Sequence, residues 1–357
     1  MTKAQKGVLK ALKILRRLVI LTHDNPDPDA IGAGLALARL AQEVGSEAVF
    51  AYGGIIGRAE NTAMINLLEI DLVPVSCVDL TTFDGIALVD TQPGSTNHSL
   101  RAGLTPTIVI DHHPRDEATA AVPYADVRPD YGASSTILYE YLRAARVVPD
   151  RPLATALFYG LKVDTQNLSR GHSAADERAF MRLFPLVDHQ QLSRIEYPPL
   201  PYEYFETLRQ GLERAYVHGD VVISQMDDIE TPHPVAEIAD LLLRLEGVRW
   251  SACFACSGEA LYLSLRTNDL NANAGVVVRR VVRHHGSSGG HPALAAGRVP
   301  LKARTRSARS RTMTELVQRL LAELNVADQA PVKLLRVRPR GRSRSAAPAH
   351  APPHSME

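Results

Sequence analysis

The chain reads as an α/β protein: an N-terminal doubly wound parallel sheet domain, joined by a helical connector to a smaller α/β C-terminal domain, with the active site expected in the cleft between them. Three observations predict this. Short runs of aliphatic and β-branched residues, Leu18–Leu21, Gly85–Val89 and Ile108–Ile110, have the unbroken hydrophobicity of strands buried on both faces. Segments with apolar residues at helical spacing alternate with these runs, as in parallel sheets. The runs also end abruptly in acids or histidines, at the strand ends where open α/β sheets bind ligands.

The first helix is expected over Ala4–Leu15, followed by the strand Leu18–Leu21. That strand runs into Thr22-His23-Asp24-Asn25-Pro26-Asp27-Pro28-Asp29-Ala30, where the prolines forbid further ladder pairing and fix an extended turn, so that His23, Asp27 and Asp29 can converge. An Ala/Leu-rich helix over Ile31–Val44 stops at Gly45. A strand at Glu47–Tyr52, a Gly-Gly loop, a helix at Asn61–Leu68 and a connector through Pro74 lead to Gly85–Thr91, which closes on Asp90. Ile108-Val109-Ile110 closes on Asp111-His112-His113. A Pro-rich connector then reaches Gly132-Ala133-Ser134-Ser135-Thr136, which opens a helix to Leu142; its hydroxyls and amides suit either a helix cap or a phosphate. The next helix, Leu153–Val163, delivers Asp164.

A charged helical region over Ser173–Glu213 contains Tyr197-Pro198-Pro199-Leu200-Pro201, a cluster that punctuates rather than packs. Beyond it the expected elements are a strand at Val221–Gln225, a helix at Pro234–Leu245, strands at Trp250–Cys256 and Leu261–Arg266, and a helix at Asn273–His285. The loop Gly286–His291 runs on to Ala295-Ala296-Gly297, and a last helix covers Thr312–Leu324. The expected domains are 1–190, a connector at 191–215, a second domain at 216–325 and a basic tail at 326–357. From Pro331 on, the Arg/Pro/Ser/Ala-rich tail buries too little apolar surface to order itself.

A chain of 357 residues with 45% hydrophobic content is long enough for two cores. No apolar run approaches the ~20 residues that span a bilayer. The segment Val8–Leu21 is broken by Lys10, Lys13, Arg16 and Arg17, so it reads as neither signal peptide nor anchor, and a cytoplasmic location is expected. Cys253 and Cys256 form a C-x-x-C with no second pair to complete a zinc site, which favours two small apolar residues on a strand. The net charge of +1 hides an asymmetry: residues 1–265 hold 23 Lys/Arg against 34 Asp/Glu, and residues 266–357 hold 17 against 5. Cations bound by the acidic part and an anion held by the basic part would account for it.

His23, Asp27, Asp29, Asp90, His112 and Asp164 thus bring four carboxylates and two imidazoles to one edge of the sheet. Carboxylates so gathered repel unless cations neutralise them. An oxygen-rich Asp/His set suits Mn²⁺, or Mg²⁺, better than a thiolate-seeking metal. Two ions sharing a carboxylate ~3.5–4 Å apart can activate water for in-line attack on phosphorus.

These segments resemble the DHH phosphoesterase family, on the side of its stand-alone bacterial oligoribonucleases (nanoRNases) and 3′-phosphoadenosine 5′-phosphate phosphatases. The resemblance covers roughly residues 15–325. Its motifs are His-x-x-Pro-Asp-x-Asp at His23–Asp29, Val-Asp-Thr at Val89–Thr91, Asp-His-His at Asp111–His113 and Gly-Leu-x-x-Asp-Thr at Gly160–Thr165. The Gly-Gly-His…Ala-Ala-Gly of a DHH-associated C-terminal domain stands at Gly289–Gly297, with one extra residue between His291 and Ala295.

The resemblance implies one metal on His23, Asp27 and Asp90 and a second on Asp29, Asp90, His112 and Asp164, with Asp90 bridging. It makes Asp111 an acid that orients an imidazole and sets His113 against the scissile phosphate. It gives Arg266, Gly289, Gly290 and His291 to substrate. The implied activity is hydrolysis of short oligoribonucleotides to mononucleotides with two Mn²⁺ or Mg²⁺. Alternatives are pApA, cyclic di-AMP, 3′-phosphoadenosine 5′-phosphate or polyphosphate as substrate, or a non-catalytic nucleic-acid-binding regulator. Partners are short RNA or nucleotide phosphates, with no membrane, and a homodimer is admitted. Two features depart from the pattern or stand outside it. Gln166-Asn167-Leu168 stands where relatives often carry glycine and an aromatic, which removes a base-stacking platform; Arg298–Arg311 carries six Lys/Arg and no acid, which suits either a longer anionic strand or a solvated linker.

Overall fold

A capping box starts the chain: Thr2 accepts from the Gln5 amide at 3.1 Å while the Gln5 side chain accepts from the Thr2 amide at 2.9 Å, opening α1 (Lys3–Ile14). The computed structural model describes residues 1–290, 292–301, 303 and 305–335, and the chain divides into two units, Met1–Pro199 and Leu200 onward. His291, Lys302, Arg304 and residues 336–357 lie outside the described residues.

In the first unit α1 is followed by β1 (Arg17–Leu21), α2 (Pro28–Glu43), β2 (Glu47–Tyr52), α3 (Ala59–Leu67), β3 (Val73–Pro74), β4 (Gly85–Val89), β5 (Ile108–Asp111) and β6 (Tyr124–Val127). Then come α4 (Ser134–Ala145), α5 (Arg151–Asp164), α6 (Ala174–Leu183) and α7 (His189–Glu196). The sheet order is β3-β2-β1-β4-β5-β6 and every pairing is parallel. The order reverses between β1 and β4, whose C-terminal ends carry His23 and Asp90, so the crevice expected at a switch point falls on those two residues.

Alternation along the strands decides what each face meets. Leu18, Ile20, Ala87 and Ile110 pack on the helical layer with Leu12, Leu37, Tyr141 and Leu157. Val19, Leu21, Leu88 and Val109 face the other way and are covered by Leu80 and Val122. Each fully buried Leu or Ile contributes roughly 1.5–3 kcal/mol. An exposed ion pair such as Arg17–Glu47, at 3.0 Å, contributes ~1 kcal/mol at most. The core, not surface charge, therefore fixes the strand ends.

Several boundaries differ from expectation. The helix expected from Ile31 begins at Pro28, because Asp27 caps it by accepting from the Ala30 amide at 3.0 Å and Pro28 supplies a preset first position. Asp29 therefore stands in the first turn of α2, not in a loop. β6 occupies the expected Pro-rich connector. Asp164 arrives on the last turn of a helix. The 191–215 connector is shared between the units: α7 belongs to the first, and α8 (Tyr202–Glu213) to the second.

The second unit continues with β7 (Ala215–His218), β8 (Val221–Asp228), α9 (His233–Leu242), β9 (Trp250–Ser257), β10 (Ala260–Thr267), α10 (Ala274–Val281), β11 (Ser287–Gly290), β12 (Leu294–Pro300), α11 (Arg306–Glu323) and β13 (Val332–Lys333). Its sheet order is β11-β12-β10-β9-β8-β7-β13, antiparallel except for the β8–β9 pair. Cys253 packs with Val222 and Ile238 on one face and Cys256 with Phe254 and Leu320 on the other, as an offset of three along a strand requires, so the two thiols form no site. The Gly286–His291 loop and the Ala295–Gly297 stretch prove to be largely the two strands β11 and β12, held by ladder pairing that composition does not announce. The stretch Arg298–Arg311, expected to hold a longer anionic strand or to form a solvated linker, is divided: Arg298 lies on β12 and Arg306, Arg309 and Arg311 on α11. The tail expected to be disordered from Pro331 first adds β13 against Val217 and Tyr216. Among the described residues no helix is long and apolar enough to cross a membrane.

Candidate metal centre

The end of β1 turns His23 towards the end of β4. His23 Nε2 lies 3.7 Å from Asp27 Oδ1 and 3.5 Å from Asp90 Oδ2. On the other side His112 Nε2 lies 3.5 Å from Asp90 Oδ1 and 3.3 Å from Asp164 Oδ2. Asp90 thus offers one carboxylate oxygen to each histidine. Among the described residues three groups have ligand atoms within 4.8 Å of one another: His23/Asp27/Asp90, Asp29/His112/Asp164 and Asp90/His112/His113. The six residues anticipated as ligands all fall in these groups, but the anticipated set Asp29, Asp90, His112 and Asp164 is divided: Asp90 joins His112 in a group with His113, and Asp29 and Asp164 join His112 in another.

Backbone and neighbours hold these groups in place. Asp90 has φ +60°, a left-handed conformation that a non-glycine residue adopts at a cost and that turns its side chain off the strand direction. Ser134 Oγ donates to Asp90 Oδ1 at 2.8 Å. The two carboxylate oxygens of Asp29 accept from the amides of Ser134 (2.7 Å) and Ser135 (2.8 Å), at the positive end of α4. The serine-rich start of α4 therefore serves acids of the centre. His23 Nδ1 meets the carbonyl of Asp24 at 3.0 Å and His112 Nδ1 that of Tyr131 at 3.2 Å, contacts that leave each Nε2 toward the carboxylates.

Asp111 orients His113 rather than His112: its Oδ1 lies 2.8 Å from His113 Nδ1 and accepts from the His112 amide at 2.8 Å. Sequence reasoning missed what fixes Asp111. Gln92 donates to Asp111 Oδ2 at 2.6 Å and to the Pro114 carbonyl at 3.1 Å, and accepts from the Asp116 amide and Thr119 Oγ1 at 2.8 Å each. Its place two residues after Asp90 was the available signal. Gln166, Asn167 and Leu168 all have positive φ (48°, 58° and 60°), so the backbone after Asp164 takes a left-handed turn without the glycine that would ease it.

In the second unit Arg266 is buried on β10; its Nε pairs with Asp240, and Nη1 donates to Ser264 Oγ at 2.7 Å and to the Leu265 carbonyl at 3.1 Å. Gly290, at φ +149°, approaches β12 so closely that a Cβ would lie 2.4 Å from the Ala295 Cα, whereas a Cβ on Gly289 would meet open space. His291 is outside the described residues.

Charge is unevenly held here. Burial acts against the proton on His112, but the Asp164 carboxylate 3.3 Å from its Nε2 and the fields of Asp90 and Asp29 outweigh it and carry its pKa up to about 11. His23 is likewise burdened by burial yet raised well above its ordinary value by Asp27 and Asp90. Burial, with the charges of Asp27 and Asp90, lifts Asp164 to about 6. Burial and neighbouring acids raise Asp29 strongly. Protons thus stand in for cations. His112 Nε2 is buried without a hydrogen-bond partner, an orphaned atom aimed among carboxylates, as fits a metal ligand. Cation binding must expel those protons, so Mn²⁺ affinity is expected to rise with pH by at least about tenfold per unit between pH 6 and 8, one proton's worth. Titration calorimetry in buffers of different ionisation enthalpy measures this; affinity indifferent to pH would remove His112 as a ligand.

Comparison with known proteins adds to this geometry. The model of the DHH family, N-terminal domain, matches residues 17–161, and that of the DHHA1 domain matches residues 218–325. An uncharacterized protein of Methanocaldococcus jannaschii is 40% identical over 286 residues, 80% of this chain and 58% of the relative. A cyclic-di-AMP phosphodiesterase of Geobacillus thermodenitrificans is 28% identical over 307 residues, 79% of this chain and 44% of the relative. The chain spans about half the length of these curated relatives. The crystal structure of an exopolyphosphatase-related protein from Bacteroides fragilis shares the fold, with a TM-score of 0.68 at 14% identity over 91% of this chain and 100% of that one.

Proposed function

The chain belongs to the DHH family, with a DHHA1 domain behind the family's N-terminal domain, and on that premise we propose that it is a two-metal phosphodiesterase that hydrolyses short oligoribonucleotides to mononucleotides. The observation that carries the reading is Asp90, one oxygen toward His23 and the other toward His112. His23, Asp27 and Asp90 would hold one cation and Asp29, Asp90, His112 and Asp164 the other. The oxygen-rich donor set favours Mn²⁺ over softer metals, with Mg²⁺ as the substitute. When bound, such a pair activates water and offsets phosphoryl charge.

The chain's own residues would do the rest. His113, its Nδ1 fixed by Asp111 and its pKa raised by hydrogen bonding to Asp111 and the field of Asp90 against the pull of burial, would hold a proton against a phosphoryl oxygen. Arg266, Gly289, Gly290 and His291 would hold a distal phosphate, Arg266 through guanidinium N–H groups beyond those committed to Asp240, Ser264 and Leu265.

A second reading, hydrolysis of linear or cyclic dinucleotides, is favoured by the similarity to a cyclic-di-AMP phosphodiesterase. A turnover panel with Mn²⁺ and RNA of two to about twenty-four nucleotides, pApA, cyclic di-AMP, 3′-phosphoadenosine 5′-phosphate and polyphosphate separates them. Under the favoured reading kcat/KM is highest for RNA of a few nucleotides and falls with length. A flat or rising length profile would sink the short-substrate reading, cyclic di-AMP or pApA in first place would support the second, and no turnover with any metal would leave a binding protein.

A further inference from the structure

The segment Tyr131–Ser135 supplies four contacts to the side chains of three of the six candidate ligands: the Tyr131 carbonyl to His112, the Ser134 and Ser135 amides to Asp29, and Ser134 Oγ to Asp90. Residues outside the centre hold it just before Tyr131 and at Gly132.

At its start stands Arg128, nearly buried between β6 and α4. Its guanidinium grips Asp126 with two parallel bonds of 2.9 and 2.6 Å and Glu140 with a third of 2.6 Å, and lies 5.0 Å from the centre of the Tyr131 ring. Tyr141 Oη adds a bond to Asp126 at 2.9 Å, Tyr131 Oη donates to Glu140 at 3.3 Å, and the Arg128 amide donates to the Asp111 carbonyl at 2.9 Å. Further along, the Gly132 amide donates to the buried Asp176 at 2.8 Å, the carboxylate that also accepts from the amide and hydroxyl of Ser173 at the start of α6. A Cβ at Gly132 would lie 2.6 Å from Thr165 Cγ2, so the segment has no room to shift toward α5.

We infer that Arg128, held by Asp126 and Glu140, is a positioning residue for the second metal position, acting through the Tyr131 carbonyl and the start of α4 on His112 and Asp29. This rests on the two-metal reading above. The physical reason is charge as well as packing: without the guanidinium, Asp126 and Glu140 face each other with no cation between them, and their separation would carry residues 128–131 away from His112. His23 and Asp27 receive none of the four contacts and the first position shares only Asp90 with them, so it should be weakened far less than the second. Neighbours that orient metal-bound histidines typically set affinity by 10–100-fold.

The test is Mn²⁺ binding to the full chain, measured by titration calorimetry and by the electron paramagnetic resonance signature of coupled ions. Asp27→Asn and Asp164→Asn serve as references for loss of the first and second positions. Arg128→Met is expected to weaken one of two Mn²⁺ by about 10–100-fold, to reproduce the Asp164→Asn binding pattern and to lose the coupled signal while still binding one ion. Arg128→Lys, which keeps charge but not the fork, should recover part of the loss. Should Arg128→Met fail to fold, Glu140→Gln, at a more exposed partner, is read in its place and should weaken the same ion by roughly threefold to tenfold. Equal weakening of both ions, or of neither, overturns the inference while leaving two-metal binding intact. A wild-type protein that binds fewer than two Mn²⁺ overturns the two-metal reading itself.

Discussion

Replacing Asp90 by alanine is expected to lower turnover by on the order of a thousandfold or more under every metal condition, ~4 kcal/mol of barrier. Asp90 is buried and, among the described residues, carries the one carboxylate within 4 Å of both His23 and His112; Asp27 reaches only the first and Asp164 only the second. Asp90→Asn is the sharper variant, because asparagine tolerates the left-handed backbone at φ +60° and keeps an acceptor for Ser134 Oγ while losing the charge. Both should fail alike, with Mn²⁺ binding weakened at both positions. Retention of more than about a tenth of wild-type turnover, only ~1.4 kcal/mol, would contradict a bridging role.

Gly160→Val is expected to destabilise the first unit and abolish metal binding together. Gly160 lies inside α5 where that helix crosses the start of α2, and a Cβ there would come within 2.8 Å of the Pro28 carbonyl and the Asp29 Cα and 2.7 Å of Ser135 Oγ. Gly32 meets the same crossing from α2, where a Cβ would lie 2.7 Å from the Ala156 carbonyl. Backbone atoms cannot swing aside as a side chain can, so the helices must separate. Overpacking of this kind costs about 3 kcal/mol, a fall in Tm of roughly 6–12 °C for a unit of this size. Separation also moves Asp29, on α2, from Asp164, at the end of α5. Thermal unfolding in chelator and in Mn²⁺ checks both effects. The contrasting variant is Gly103→Ala: at φ +87° with nothing within 4 Å, it should cost only about 1–2 kcal/mol of backbone strain and leave the Mn²⁺ stabilisation unchanged. A Gly160→Val protein with wild-type Tm and Mn²⁺ response would refute the crossing argument.

What the sequence by itself determined is the set of strand and helix ends that carry the candidate metal ligands. An apolar run such as Ile108-Val109-Ile110 ending on Asp111-His112-His113 is a local signal: β-branched residues make the strand, and the abrupt change to polar residues marks its end. The same held for Val89-Asp90 and for His23 through Asp29, though the two prolines there were legible only as a turn and not as the start of α2. The smaller domain was legible for the same reason, through its alternating strands and helices. What only the tertiary structure decided is everything that depends on one segment meeting another. Asp90 divides its two oxygens between His23 and His112 because β1, β4 and β5 lie side by side, a pairing no window of sequence contains. Asp111 proved to serve His113, Gln92 to fix Asp111, and the serines of α4 to serve Asp29 and Asp90. β3, β6, β7, β11, β12 and β13 escaped a reading by composition because their residues are strand-forming only beside a partner that supplies the ladder and the burial. Gly160 is the plainest instance. In the sequence it is one letter of a motif, and its reason, the backbone of α2 a van der Waals contact away, exists only once the two helices cross.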